Sequence, residues 1–161
     1  MAKKVKVKKT LVEQILTKAG INHKGIQINA LEGELPQDYD KNQIFKTLAL
    51  LGDKTGPIIG ILPITEHLSE KKLAKISGNK KVSMIPQKDL EKTTGYIHGA
   101  NNPVGIRQKH NYPIFIDQTA LQLNEMIVSS GEVGHSIIIN PLDLASFVKA
   151  NFVDILEENK L

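Results

Sequence analysis

The chain contains no cysteine and no tryptophan, and aromatic residues make up only 4% of its 161 positions. Without cysteine there is no disulfide, no thiolate metal ligand and no cysteine nucleophile, which fits a reducing, cytoplasmic setting. With so few rings the core has to rest on Ile, Leu and Val, and an apolar fraction of 40% can supply one. No apolar run approaches the roughly 20 residues that a bilayer span requires. The N-terminal lysines are followed by neither an apolar segment nor a small-residue cleavage site, so they do not form a secretory signal.

Positive charge is also scarce once its location is considered. The formal net charge is +4, but Lys3, Lys4, Lys6, Lys8 and Lys9 supply five of the 21 basic residues. Without them, 16 basic residues face 17 acidic ones. A basic tail of this kind holds phosphates without sequence preference, or simply keeps a chain end solvated. A second excess runs from Glu70 to Lys92 and reads as a solvated helix face that permits RNA contact. Internal repeats, linkers and composition breaks are missing after the tail. The expected organisation is a flexible basic tail, 1–9, and a single domain, 10–161.

Helix signals are clear in three places. Thr10 with Glu13 forms a capping box before Leu11, Val12, Ile15 and Leu16, and Gly20 ends that face. A second helix runs from a Ser69 cap to Gly78. A third begins at Asn140-Pro141, with Asp143 in its first turn. Phe45 to Leu51 and Pro57 to Pro63 flank Asp53-Lys54-Thr55-Gly56 as a hairpin. Lys81 to Ile85, Gly95 to His98, Ile114 to Asp117, Glu125 to Ser129, Ser136 to Ile139 and Phe152 to Leu156 are further candidate strands. Residues 31–42 read as loop with one turn of helix. The fold class expected is mixed α/β (α+β): a curled, barrel-like sheet of about six or more strands flanked by several helices.

Familiar catalytic signatures are absent. There is no nucleophile elbow, phosphate loop or dinucleotide fingerprint, and His23, His67, His98, His110 and His135 show no metal-site spacing. Three segments stand out against this background. Lys46 interrupts the apolar run Phe45 to Leu51, either as an edge lysine that discourages aggregation or as an ammonium in a cleft. Thr94 to Gly105 is rich in Gly and Asn, either an ordinary turn or a set of bare N–H groups facing a developing oxyanion. Val128 to Gly134 turns through two glycines and either places Ser129 at a site or makes a plain hairpin.

In order along the chain, several pieces resemble the YbaK/EbsC family of aminoacyl-tRNA editing proteins. They are Phe45-Lys46-Thr47-Leu48, Leu62-Pro63, Thr94-Gly95-Tyr96, the G-x-x-x-P loop Gly99 to Pro103, Ile116-Asp117, Ser129-x-Gly131 and Asn140-Pro141-x-Asp143-Leu144. The resemblance runs from about Thr10 to Ile155. It implies a barrel-like editing domain that acts in trans on Cys-tRNA(Pro) and Cys-tRNA(Cys), with the substrate's own thiol attacking its ester, formally a lyase rather than a hydrolase. Lys46, Gly99 and Ala100 then take catalytic roles, and Tyr96, Asn101, Asn102, Pro103, Asp117, Ser129 and Gly131 bind substrate. No metal or cofactor is implied. The partner is aminoacyl-tRNA, with prolyl-tRNA synthetase as a candidate second partner and no membrane. Using the thiol makes chemistry the filter, where a pocket separating substrates by one methylene gains only about 1–3 kcal/mol.

The chain departs from the family pattern in three places. Glu132 and Val133 stand where arginines are common, His23 falls near the position of a pocket tyrosine, and residues 31–42 carry a weak helix pattern. These bear on amino-acid choice, so Ala-tRNA(Pro) is an alternative substrate. A non-catalytic tRNA- or synthetase-binding module on the same fold is the alternative from another class.

Overall fold

The computed structural model describes residues 9–28, 35 and 38–158. Helix α1, Leu11–Lys18, starts as expected. Thr10 Oγ1 accepts the Glu13 N–H, the Glu13 carboxylate accepts the Thr10 N–H, and Val12 and Leu16 are buried. Strand β1, His23–Ile26, follows, with no alternating pattern to announce it. A 3-10 turn at Lys41–Gln43 leads into the long hairpin of β2, Phe45–Gly52, and β3, Gly56–Pro63, paired from Phe45–Pro63 to Gly52–Gly56.

The expected helix α2, Glu70–Ser77, is capped by Ser69 and ended by a left-handed Gly78. Next come β4, Val82–Met84, and α3, Gln87–Thr94, then α4, Pro103–Lys109, and β5, Ile114–Asp117. Strands β6, Met126–Ser129, and β7, Ser136–Ile139, form the second hairpin. Helix α5, Pro141–Val148, and β8, Asn151–Val153, complete the order.

These strands make two sheets, β4-β2-β3-β5-β8 and β1-β7-β6. The larger sheet is mixed: β2 is antiparallel to β3 and β4, whereas β3–β5 and β5–β8 are parallel. A single parallel bridge, Ile44 to Ile127, joins the two sheets, so the structure curls without closing a barrel. The main core packs between α1, α4, α5 and the sheets around Val12, Ile59, Val104, Ile116, Val128 and Leu144. Ile, Leu and Val carry it, as the scarcity of rings requires.

Two sequence expectations are corrected. Gly95 to His98 is not a strand: Gly95 takes a left-handed φ of 87° and ends α3, and residues 96–101 turn over the sheet. Thr94 to Gly105, read as an ordinary turn or a set of bare N–H groups, gives way at Pro103 to helix α4, and α3 had no element assigned to it. The basic tail lies outside the described residues except for Lys9, as does most of the 31–42 segment. Among the described residues no helix is long and apolar enough to cross a membrane.

Candidate active site

A cavity of about 270 Å³ opens where the two sheets part. β2 runs along it, with Phe45, Lys46, Thr47, Leu48 and Ala49 all contributing to its lining. Helix α3 and the segment before it supply Ile85, Gln87 and Leu90 on one side. The turn after α3 brings His98, Gly99 and Asn101 over it, and the β6–β7 hairpin closes the far side with Ser129, His135 and Ser136. Among the described residues no Asp or Glu lines it.

Lys46 supplies the charge. β3 pairs with β2 along its whole length, whereas the β4 ladder reaches only Leu50 to Gly52, so Lys46 stands where one edge of β2 opens to the cavity. Its Nζ donates to the Glu66 carbonyl at 2.9 Å, and among the described residues it has no carboxylate partner. Burial pushes the ammonium below the usual lysine pKa range.

The turn over the cavity is held from within. Thr94 is fully buried and its Oγ1 accepts the Tyr96 N–H. The same hydroxyl donates to Asn101 Oδ1 at 2.8 Å, which orients the Asn101 amide and leaves its N–H groups uncommitted among the described residues. Gly99 has a left-handed φ of 88°, which a side chain would disfavour. The G-x-x-x-P spacing then has a physical reading. Gly99 turns the chain, Asn102 caps α4 by accepting the Gly105 N–H at 2.6 Å, and Pro103 takes the first helical position. Ala100 is buried and its N–H already donates to Ile97 O, whereas the N–H groups of the lining residues His98, Gly99 and Asn101 are uncommitted among the described residues.

Ser129 sits opposite. Its Oγ accepts the Gly131 N–H at 3.3 Å and donates to Gly99 O at 3.5 Å, tying the β6 end to the turn. Neither His98 nor His135 is hydrogen-bonded to it among the described residues. Among the described residues the arrangement provides an unneutralised cation, bare backbone donors, an amide and a hydroxyl, without a hydrogen-bonded nucleophile–base pair.

Of the ten residues expected at the site, Lys46, Gly99, Asn101 and Ser129 line the cavity. The other six do not line it. The Tyr96 ring packs beneath α4 under Lys109, with its hydroxyl against Gly105. Asn102 and Pro103 begin that helix, and Gly131 makes the turn that receives Ser129. Asp117 is buried away from the cavity lining, where it accepts from Thr119 and from the Ile155 N–H. His23 bonds Ile21 O and lies off the cavity. Glu132 and Val133 are exposed on the β6–β7 turn, so the departure from the family's arginines alters the rim rather than the walls. Sequence reasoning missed Thr47, Gln87, Leu90 and His135 as lining residues. Pro86 and Asp89 at the start of α3 and Gly95 at its end were the available signal for two of them.

Fold and cavity together define a small editing-type domain. Residues 31–147 match the model of the aminoacyl-tRNA editing domain, and the chain belongs to that family. A relative from Enterococcus faecalis, "Putative Cys-tRNA(Pro)/Cys-tRNA(Cys) deacylase EbsC", is 36% identical across 96% of this chain and 98% of its own. A solved "putative trans-editing enzyme for prolyl tRNA synthetase" shares the fold with a TM-score of 0.78, at 22% identity over 91% of this chain and 95% of that one. A solved "hypothetical protein" does so with a TM-score of 0.81, at 19% identity over 91% and 99%.

Proposed function

We propose that this protein is a trans-acting deacylase that clears Cys-tRNA(Pro) and Cys-tRNA(Cys), with the cysteinyl thiol as nucleophile. One observation carries the reading. Among the described residues, the cavity joins an ammonium without a counter-charge, Lys46, to a turn with uncommitted Gly99 and Asn101 amides, and it holds no nucleophile–base pair. Such a site can hold an ester carbonyl and stabilise the oxyanion formed from it, and it leaves the attacking group to the substrate. The name borne by the Enterococcus relative supports the choice of cysteinyl-tRNA.

In the proposed step the thiol loses its proton and its sulfur bonds to the ester carbonyl carbon. The carbon–oxygen bond to the terminal ribose breaks, and the leaving oxygen takes up a proton as the tRNA hydroxyl. The amino acid leaves as a cyclic thioester that water opens later. This is elimination of tRNA, a lyase-type reaction, rather than hydrolysis. The same reading implies a cytoplasmic setting, a basic tail, 1–9, that contacts tRNA phosphates, a single editing domain, 10–161, and prolyl-tRNA synthetase as a partner that passes on the tRNA.

The test is incubation with labelled Cys-tRNA(Pro), Cys-tRNA(Cys) and Ala-tRNA(Pro). Release of tRNA from the two cysteinyl substrates well above a protein-free control is expected. Release from Ala-tRNA(Pro) alone would replace the thiol mechanism with a hydrolytic one.

A further inference from the structure

Among the described residues, one edge of β2 is bare at the cavity. Backbone hydrogen bonds alternate sides along a strand, and Ile64 N–H donates to Ile44 O, so the even-numbered groups of β2 serve β3. Ile85 N–H donates to Ala49 O and Asp53 N–H to Lys81 O, so the odd-numbered groups serve the opposite edge. On that edge, contact with β6 is the single bridge at Ile44, and the ladder with β4 begins at Leu50. Thr47 lies between them, and its carbonyl faces the opening between the sheets.

A second observation concerns its side chain. Thr47 lines the cavity and is 9% exposed, yet its Oγ1 is buried without a hydrogen-bond partner among the described residues. Buried hydroxyls in folded proteins nearly always have a partner, because desolvating one for nothing is destabilising. A ligand group that arrives there would supply what the fold does not.

We propose that Thr47 C=O and Oγ1 read the α-amino group of the aminoacyl ester, so that the enzyme cleaves aminoacyl-tRNA with a free amino group and spares N-acylated and peptidyl-tRNA. This rests on the deacylase reading of the cavity. With no Asp or Glu in the lining among the described residues, the acceptors that β2 offers an amino group bound there are neutral oxygens. The Lys46 charge nearby favours the neutral amine, whose two N–H groups match two acceptors. Acylation leaves one N–H and adds bulk against the strand. A free strand edge is a natural place to read such a group, since it presents its carbonyls outward.

The experiment compares wild type, Thr47→Val and Thr47→Ser on Cys-tRNA(Pro) and on N-acetyl-Cys-tRNA(Pro), with melting temperatures alongside. N-acetylation should lower kcat/KM at least about tenfold, and Thr47→Val should lower it about tenfold on the free-amine substrate. Thr47→Val should melt no lower than wild type, because it removes an unsatisfied hydroxyl, and Thr47→Ser should recover most of the rate. Equal cleavage of both substrates, or wild-type kcat/KM in Thr47→Val, overturns the proposal while leaving the deacylase reading intact. Binding of the non-cleavable amide analogue of cysteinyl-adenosine, followed at the Thr47 backbone amide by NMR, separates the two claims. A Thr47 response without cleavage of any aminoacyl-tRNA sinks the deacylase reading alone, and neither binding nor cleavage sinks both.

Discussion

Lys46 Nζ lies 2.9 Å from the carbonyl oxygen of Glu66, on the loop that follows β3. That bond occupies one proton of the ammonium and anchors it at the cavity, while no carboxylate among the described residues neutralises its charge. The carbonyl is backbone, so side-chain changes at Glu66 leave the anchor in place. Lys46→Ala should therefore fold normally and lose about 10²-fold or more in kcat/KM, the scale of removing one oxyanion donor. Lys46→Arg should also be poor, because a planar fork does not replace a compact ammonium held by one carbonyl. Circular dichroism and single-turnover deacylation check both variants, and near-wild-type rates would make Lys46 structural.

The pH profile should carry the same residue. Burial lowers the Lys46 pKa from its ordinary 10.5, so the charge is lost at a lower pH than for an exposed lysine. The alkaline limb of kcat/KM, corrected for uncatalysed ester loss, should fall below that ordinary value, while the thiol's ionisation raises the rate from the acid side. For stability the sign is opposite. The folded protein binds this proton less tightly than the unfolded chain, so Lys46 costs stability at low pH, and that cost fades as pH rises through the lowered pKa. Lys46→Met should remove both the alkaline limb and this stability term, as kinetics and urea titrations across pH would show.

Gly105 and Tyr96 couple α4 to the roof of the cavity. A Cβ at position 105 would collide with the Tyr96 hydroxyl. Gly105→Ala should therefore destabilise the protein by about 1–3 kcal/mol, the usual scale of overpacking. Tyr96→Phe in the same background should restore part of it by vacating the space. Thermal melts of the single and double variants measure the coupling, and additive effects would contradict the contact.

Much of this was legible in the chain, and the parts that were not have physical reasons. The Thr10–Glu13 box, the Ser69 cap and Asn140-Pro141 each started the helix they predict, because caps and first-turn proline act within one turn. Asn102-Pro103 is the same signal as Asn140-Pro141, yet it passed for a turn because Gly99 and Gly105 bracket it. Strand β1 had no pattern of its own. It exists because β7 pairs with it and Gly25 leaves room for the Glu13 carboxylate. At the site, Lys46 was visible as a charge in an apolar run. Thr47 was not, since an orphan hydroxyl and a bare strand edge arise only when two sheets part.

The most direct measurement compares single-turnover cleavage of Cys-tRNA(Pro) and Ser-tRNA(Pro), substrates that differ by one atom. A thiol is partly ionised near neutral pH and is strongly nucleophilic, whereas a serine hydroxyl needs a base that this cavity does not pair with it. Ser129→Ala, His98→Ala and His135→Ala should accordingly each keep about a tenth or more of the rate on Cys-tRNA(Pro), losing positioning only. Rapid loss of Cys-tRNA(Pro) beside nearly inert Ser-tRNA(Pro) is the predicted result. Comparable cleavage of the two would contradict a substrate-supplied nucleophile and point to an activated water, with His98 or His135 as its base.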